Sequence, residues 1–374
     1  MYRIMKILYL IFTFHTGGIE KQLIDLTGKV AEKHEVILCV INHNYDEELF
    51  RELSPKVRLI RYERETRGEK LSYMWKFARL VRREKIDVIH AQEPTGVVFS
   101  LFAKALFPSV RIVETIHDVG ESKLYTGSQL KIADRLCNRY VAISHAVQKE
   151  LIGRGIASSR IDIIYNGVDT DRFALPKYQW NNERTLPSDS PIRLGNVARF
   201  YPEKKGQDIL IQAVELLKQR NLQVRCQFAG AVYRDQEEQW EKLHQYVHDH
   251  QLTKEIEFLG NVSDVPGFLR DIDIFVLPSR YEGFGIALIE ALSMGIPCVA
   301  SKLDGPEEII NDKRLGRLFN AGNPSDLADK IEQVILCYQD YDPVWISNYT
   351  RQHYGLDALT EHHIDLYQHV CNKE

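Results

Sequence analysis

The chain has 374 residues, 44% of them apolar and 27% charged, with a formal net charge of −4. That length exceeds one ordinary domain and suits two, and the composition is that of a soluble globular protein rather than a disordered or membrane-spanning one. Nothing in this balance marks a nucleic-acid partner.

The charge is unevenly spread. Residues 1–180 hold about 28 Lys and Arg against about 22 Asp and Glu, so the remainder is the acidic part. Two readings stand: uneven solvated faces, or a first half that meets an anionic partner such as a phospholipid surface. Six cysteines (Cys39, Cys137, Cys226, Cys298, Cys337, Cys371) lie far apart with no C-x-x-C pair, which disfavours zinc and disulfide frameworks and fits reduced core thiols in the cytoplasm.

In chain order, Ile4 to Phe14 form an apolar run behind Arg3 that mimics a signal peptide. No clear cleavage site follows, and the run is too short to span a bilayer, so a buried first strand, Lys6–Phe12, is expected. Further strands are expected at Glu35–Val40, Val57–Arg61, Val88–His90, Val110–Thr115 and Arg139–Ala142. Helical patterns fill the gaps at Glu20–Lys33, Leu71–Lys85 and Ala146–Leu151. The theme repeats with strands at Ile192–Val197, Gln223–Ala229, Ile256–Leu259, Ile274–Leu277 and Pro297–Ala300, and helices at Gln207–Gln219 and Gln236–His248. Apolar strands alternating with helices predict an α/β protein with parallel, doubly wound sheets. Tyr178 to Pro191 is polar, proline-bearing and aperiodic, which predicts a linker between residues 1–177 and 192–343. Two sheet domains joined by a hinge imply a cleft, with ligands beyond the carboxyl ends of strands.

The richest segment is Phe275–Ser301, FVLPSRYEGFGIALIEALSMGIPCVAS. A strand, a turn containing Glu282, Gly283, Phe284 and Gly285, and then a helix place backbone N–H groups at a helix N-terminus. Such an end attracts anions, because its first N–H groups lack partners and the macrodipole is positive there. Glu282 and Glu290 bracket it. A phosphate site between two carboxylates suggests a ligand with both phosphate and hydroxyl groups, such as a nucleotide sugar.

This segment resembles the E-x7-E signature of the retaining glycosyltransferases of family 4, and Gly305-Pro306-Glu307-Glu308-Ile309-Ile310 resembles that family's GG-x-x-E-I-V turn, with Asp304 in place of one glycine. The resemblance implies the GT-B fold, two Rossmann-like doubly wound domains facing across a cleft, with the final helix, about 344–374, crossing back onto the first domain. Arg199 and Lys205 resemble the R-x(n)-K-G pair that grips the diphosphate, and Lys204 competes for the lysine role. Glu290 is expected on the ribose hydroxyls, Glu282 at the donor sugar, and the N–H groups of Phe284, Gly285 and Ile286 near the sugar and diphosphate. Gly260-Asn261-Val262 and Asp264 resemble the L-G-x-V-x-D turn near the base. In the first half, Thr16-Gly17-Gly18-Ile19-Glu20 resembles the G-G-x-E loop, and His117 is expected near the donor sugar. His90, Ser144 and Asn166-Gly167-Val168-Asp169 are family-like as well, with His90 read as structural.

The implied reaction moves a sugar with retention from a nucleotide diphosphate sugar, a UDP-sugar first and a GDP-sugar as the alternative, to an acceptor hydroxyl. The acceptor implied is lipid-linked or a saccharide, in cell-surface polysaccharide or glycolipid synthesis. No cofactor or metal is expected. Asp271-Ile272-Asp273 copies a metal-binding pattern, but it begins a strand and reads as structural. Two rivals share the fold: a nucleotide-sugar 2-epimerase, and a non-catalytic sugar-nucleotide-binding subunit. In Leu71–Lys85, the residues Leu71, Met74, Trp75, Ala78 and Val81 form a helical stripe beside Lys76, Arg79, Arg82, Arg83 and Lys85. Either the stripe faces the sheet, as in any surface helix, or the helix lies on anionic lipid at the inner face of the cell membrane.

Overall fold

Short apolar runs, each followed by an amphipathic helix, form two parallel sheets in the computed structural model. It describes all residues except 1–2, 16, 66–69, 119, 121–124, 177–185, 187–189, 233–235 and 373–374. Contacts divide the chain into one unit of residues 1–167 with 356–374 and another of residues 168–355.

The first unit holds β1 (Lys6–Ile11), β2 (Glu35–Asn42), β3 (Val57–Arg64), β4 (Val88–Ala91), β5 (Arg111–Ile116), β6 (Arg139–Ala142) and β7 (Ile161–Ile163), in the order β3-β2-β1-β4-β5-β6-β7. The second holds β8 (Ile192–Val197), β9 (Val224–Ala229), β10 (Ile256–Gly260), β11 (Ile274–Leu277), β12 (Cys298–Ser301) and β13 (Gly316–Phe319), in the order β10-β9-β8-β11-β12-β13. All pairings between these strands are parallel. Helices cover both faces of such sheets, which is why β1, β2, β11 and β12 read as continuous apolar runs rather than alternating ones. Strand order reverses at β1/β4 and at β8/β11, and those reversals locate the ligand-binding ends.

Eleven of these strands match the sequence expectation within a few residues. β7 and β13 do not appear in it, because Ile161-Asp162-Ile163 and Gly316-Arg317-Leu318-Phe319 are short, polar-interrupted edge strands. The final helix expected at about 344–374 is two helices, Pro343–Tyr354 and Leu356–Asn372. Gly355 breaks it with extended backbone (φ −69°, ψ 148°), and the Val168 N–H donates to the Tyr354 carbonyl at 2.8 Å. The boundary of the second unit therefore falls at Val168, and only the helix after Gly355 belongs to the first. Of the expected linker, residues 178–185 and 187–189 lie outside the described residues. The six cysteines are free, but Cys337 and Cys371 are only half-buried, so four rather than six are core thiols.

The helix Leu356–Asn372 packs on the first unit through a buried polar chain. The Tyr367 hydroxyl lies 2.8 Å from the Tyr9 hydroxyl and 2.7 Å from His90 Nδ1, and His90 Nε2 lies 2.7 Å from Thr115 Oγ1. His90 is thus spoken for by structure. His363, on the same helix, bonds the Leu359 carbonyl through Nδ1 at 2.9 Å. Burial pushes both imidazoles below their ordinary range, His363 to about 4, with His90 well below its usual value too.

The unfolded chain therefore takes up these protons near pH 6.5, while the native state resists them until lower pH. Stability from these groups is present above about pH 6.5 and is lost as pH falls toward 4. The urea midpoint should fall between pH 7 and pH 5, and His363→Gln should remove about one proton of that dependence. A midpoint independent of pH over this range would contradict this.

Candidate active site

In the second unit, β8 ends by delivering Ala198 and Arg199, and its neighbour β11 ends by delivering Pro278 through Glu282. The Glu282 carboxylate accepts from the Ser279 hydroxyl at 2.9 Å and from the Lys205 ammonium at 2.9 Å. The lysine and glutamate side chains are 20% and 13% exposed. The charges therefore interact in surroundings drier than the open surface, where each is worth more.

Local geometry explains the meeting. Lys205 closes the short helix Pro202–Lys205, and Gly206 follows with φ +70°. A Cβ at Gly206 would lie 2.0 Å from the Pro278 carbonyl oxygen, so only glycine lets this turn rest against the end of β11. The Arg280 and Tyr281 N–H groups donate to the Lys204 carbonyl at 2.8 and 3.2 Å. The Arg280 guanidinium donates to both Asp208 carboxylate oxygens at 2.7 and 2.6 Å, and to the Pro202 carbonyl at 2.8 Å. Two turns distant in sequence are thus stitched into one surface. Of the two candidate lysines, Lys205 stands beside Glu282. The Arg199 carbonyl accepts from the Gln207 side-chain amide at 3.0 Å, tying the end of β8 to the same surface.

The helix Ile286–Ser293 starts after Gly285, which has φ +110°. Leu288, Ile289, Ala291 and Leu292 are buried, whereas Ile286, Ala287 and Glu290 are half-buried and share the outer face. Phe284 is buried, its ring 5.8 Å from Tyr354. A Cβ on Gly305 would sit 2.6 Å from both the Gly283 carbonyl oxygen and the Phe284 Cα, so the turn after β12 lies directly against the Gly283–Phe284 turn. On the other side, the Gly230 N–H donates to the Gly260 carbonyl at 2.6 Å, and a Cβ on Gly230 would lie 1.9 Å from the Ala198 carbonyl oxygen. This packs the Gly260-Asn261-Val262 turn toward the Arg199 end. Asp264 caps the following helix through the Gly267 N–H at 2.9 Å, a structural role.

Asp271 and Asp273 are at the opposite end of β11. Asp273 is buried and accepts from the Arg193 backbone at 2.9 Å and its guanidinium at 2.8 Å, so it anchors β11 to β8. Among the described residues, no group of three or more His, Cys, Asp or Glu is placed to hold a metal ion.

In the first unit, Gly17 and Gly18 open the helix Gly18–Val30 after β1, while Thr16 lies outside the described residues. His117 follows β5, and its Nε2 lies 3.1 Å from the Gln92 side-chain oxygen. Burial, reinforced by His363, lowers the His117 pKa to about 4, so the imidazole is neutral at pH 7. Gln22, Gln92, His117, Asn166 and His363 line one small cavity. Ser144 caps the helix His145–Gly153 through the Val147 N–H at 3.3 Å.

Sequence reasoning missed four participants. The Arg280–Asp208 clamp and Gln92 carry no spacing signal, because their partners are distant in the chain, and Ser279, only three residues from Glu282, is a small hydroxyl in a loop with no periodicity to mark it. The fourth is Glu93, which follows β4 at the first sheet's reversal and accepts from the Phe12 N–H at 3.4 Å. Burial, with Glu20 adding, pushes its carboxyl up to about 6.

With this geometry in view, the comparisons are specific. The sequence matches the family described as glycosyl transferases group 1 over residues 179–352 and that described as glycosyltransferase family 4 over residues 16–172. The chain belongs to the family 4 glycosyltransferases. An undecaprenol-diphosphate-GlcNAc α-1,3-galactosyltransferase of Escherichia coli that uses UDP-Gal is 24% identical over 68% of each chain. The Escherichia coli O-antigen biosynthesis glycosyltransferase WclY is 24% identical over 87% of this chain and 88% of its own. Among solved structures, Anabaena HepE in complex with UDP superposes with a TM-score of 0.83 at 21% identity, covering 98% and 100% of the two chains. The fold is accordingly that of the GT-B glycosyltransferases.

Gly206→Ala tests the local account. With a positive φ and a carbonyl in the way, it should cost about 2 kcal/mol or more of stability in denaturant unfolding. A variant as stable as the parent would mean that the Lys205 turn does not depend on this close approach.

Proposed function

We propose that the protein is a retaining glycosyltransferase that takes its sugar from a UDP-sugar. The carrying observation is the Lys205–Glu282 pair at the β8/β11 reversal, flanked by a helix N-terminus. In this reading Arg199 and Lys205 hold the diphosphate, with Lys204 secondary. The N–H groups of Phe284, Gly285 and Ile286 face its oxygens and the sugar. Glu290 accepts from the ribose hydroxyls, Asn261 and Val262 border the base, and Glu282 orients the donor sugar. Gly17, Gly18 and His117 serve the acceptor side and the sugar. UDP-bound relatives favour UDP over GDP.

The chemistry follows from charge. The acceptor oxygen attacks the anomeric carbon on the face the diphosphate leaves. The carbon–oxygen bond breaks with its electron pair going to the phosphate, and the phosphate oxygen takes the acceptor proton. Negative charge grows on the diphosphate, and two fixed cations with helix N–H groups stabilise it without a metal. Neutral His117 exchanges hydrogen bonds with hydroxyls rather than supplying charge. Relatives named for undecaprenol-linked and O-antigen substrates support a lipid-linked saccharide acceptor in surface polysaccharide synthesis, at the cytoplasmic face of the membrane.

Lys205→Ala should lower sugar transfer about 10²–10³-fold with the thermal unfolding profile kept, and Glu282→Gln should do so comparably. NMR of donor incubated alone should show no C2 epimer, and the glycosidic product should keep the donor's anomeric configuration. Full activity in a folded Lys205→Ala protein would refute the assignment.

A further inference from the structure

Separate elements of the first unit converge on the small cavity beside His117. Gln22 comes from the helix Gly18–Val30, Gln92 from the end of β4, His117 from the end of β5 and His363 from the helix Leu356–Asn372. Gln22 is 9% exposed, and Gln92 and His363 are 4% exposed. Gln22 Oε1 and Gln92 Nε2 are buried and find no hydrogen-bond partner among the described residues. An amide atom orphaned at such depth is costly, so each calls for a partner inside the cavity.

The donors and acceptors there define that partner. His363 Nδ1 bonds the Leu359 carbonyl at 2.9 Å, so this nitrogen carries the proton and Nε2 is an acceptor. The cavity thus presents two acceptors, Gln22 Oε1 and His363 Nε2, and one donor, the Gln92 Nε2 amide. A cation would meet the amide N–H, and an anion would meet two lone pairs. Water fits, because it donates twice and accepts once. About 10 Å³ of the cavity admits the centre of a water, which is room for one. Both imidazoles that line it are neutral at pH 7, because burial disfavours their charged forms.

The other end of the Gln92 amide reaches the candidate site. Its Oε1 lies 3.1 Å from His117 Nε2 and can only accept, so His117 Nε2 carries the proton and Nδ1 the lone pair. We propose that the cavity binds one water held by Gln22, Gln92 and His363, and that this water fixes the Gln92 amide and through it the Nε2–H tautomer of His117. Gln22, Gln92 and His363 are then positioning residues. They act through His117, whose Nδ1 accepts from a sugar hydroxyl in the proposed reaction, and this last step rests on that reading. Without the water the Gln92 amide can turn over and donate to His117 Nε2. The imidazole then takes the opposite tautomer and presents a donor where the sugar hydroxyl needs an acceptor.

The water and the tautomer are read on the full chain without donor or acceptor. A crystal structure of the parent should show one water within hydrogen-bonding distance of Gln22 Oε1 and Gln92 Nε2. Long-range proton–nitrogen NMR of histidine-labelled protein should show a pyrrole-type Nε2 and a pyridine-type Nδ1 at His117, the signal being assigned by its loss in His117→Asn. Gln22→Leu and Gln92→Leu should each populate the Nδ1–H tautomer with circular dichroism unchanged, and each should lower sugar transfer about tenfold. A parent crystal structure with no water on these atoms would overturn the proposal, as would a His117 tautomer that neither variant moves. A shifted tautomer with transfer at the parent's rate would uphold it and count instead against the part given to His117 in the proposed reaction.

Discussion

The ion pair between Lys205 and Glu282 is the point on which the second unit's architecture converges. A charge-assisted hydrogen bond of this kind is worth roughly 1.5–3 kcal/mol net. Taking both charges partly out of water costs a comparable amount, so stability alone gives little reason to keep the pair. Its value is positional. Gly206 against Pro278, Arg280 across to Asp208 and Ser279 beneath Glu282 all fix where one ammonium and one carboxylate stand. An arrangement so heavily constrained for two largely buried charges suits preorganisation for an anion rather than a role in folding.

In the proposed reading, the sheet topology turns that pair into a site. Because β8 and β11 are neighbours with their connections running in opposite directions, the turns at their carboxyl ends diverge and leave room above the sheet. Gly230 and Gly305 bring the adjoining turns close enough for the Asn261 and Phe284 segments to border the same region. The first unit repeats the plan at β1 and β4, but with a different chemical content: Glu93 with a raised pKa, a neutral His117 and buried glutamines. One reversal gathers a lysine–glutamate ion pair. The other gathers groups that exchange hydrogen bonds.

Much of this was legible in the sequence because both sheets are buried on both faces. Runs such as KILYLI and IFVL announce themselves without any knowledge of contacts. Lys205 and Glu282 were visible as motif members, but their direct pairing was not, since it depends on how Gly206 meets Pro278. The edge strands β7 and β13 lie outside the sequence expectation because three or four residues, interrupted by a charged one, give no usable pattern. Gly355 falls inside the segment expected as one final helix, and the bridge it makes with Val168, distant in the chain, is what ends the first of the two helices. Leu71 and Trp75 fit a core-facing stripe by spacing. The structure assigns the core to Phe77 and Leu80 instead, about a quarter turn around the helix, and period alone cannot choose between those faces.

The most direct test of the central claim is a crystal structure of the protein soaked with UDP. The account predicts the β-phosphate within hydrogen-bonding distance of Lys205 Nζ, the ribose hydroxyls on the Glu290 carboxylate and the uracil toward Asn261 and Val262. A nucleotide seated on the loops after β1 and β4 of the first unit, with the Lys205–Glu282 pair undisturbed, would contradict it.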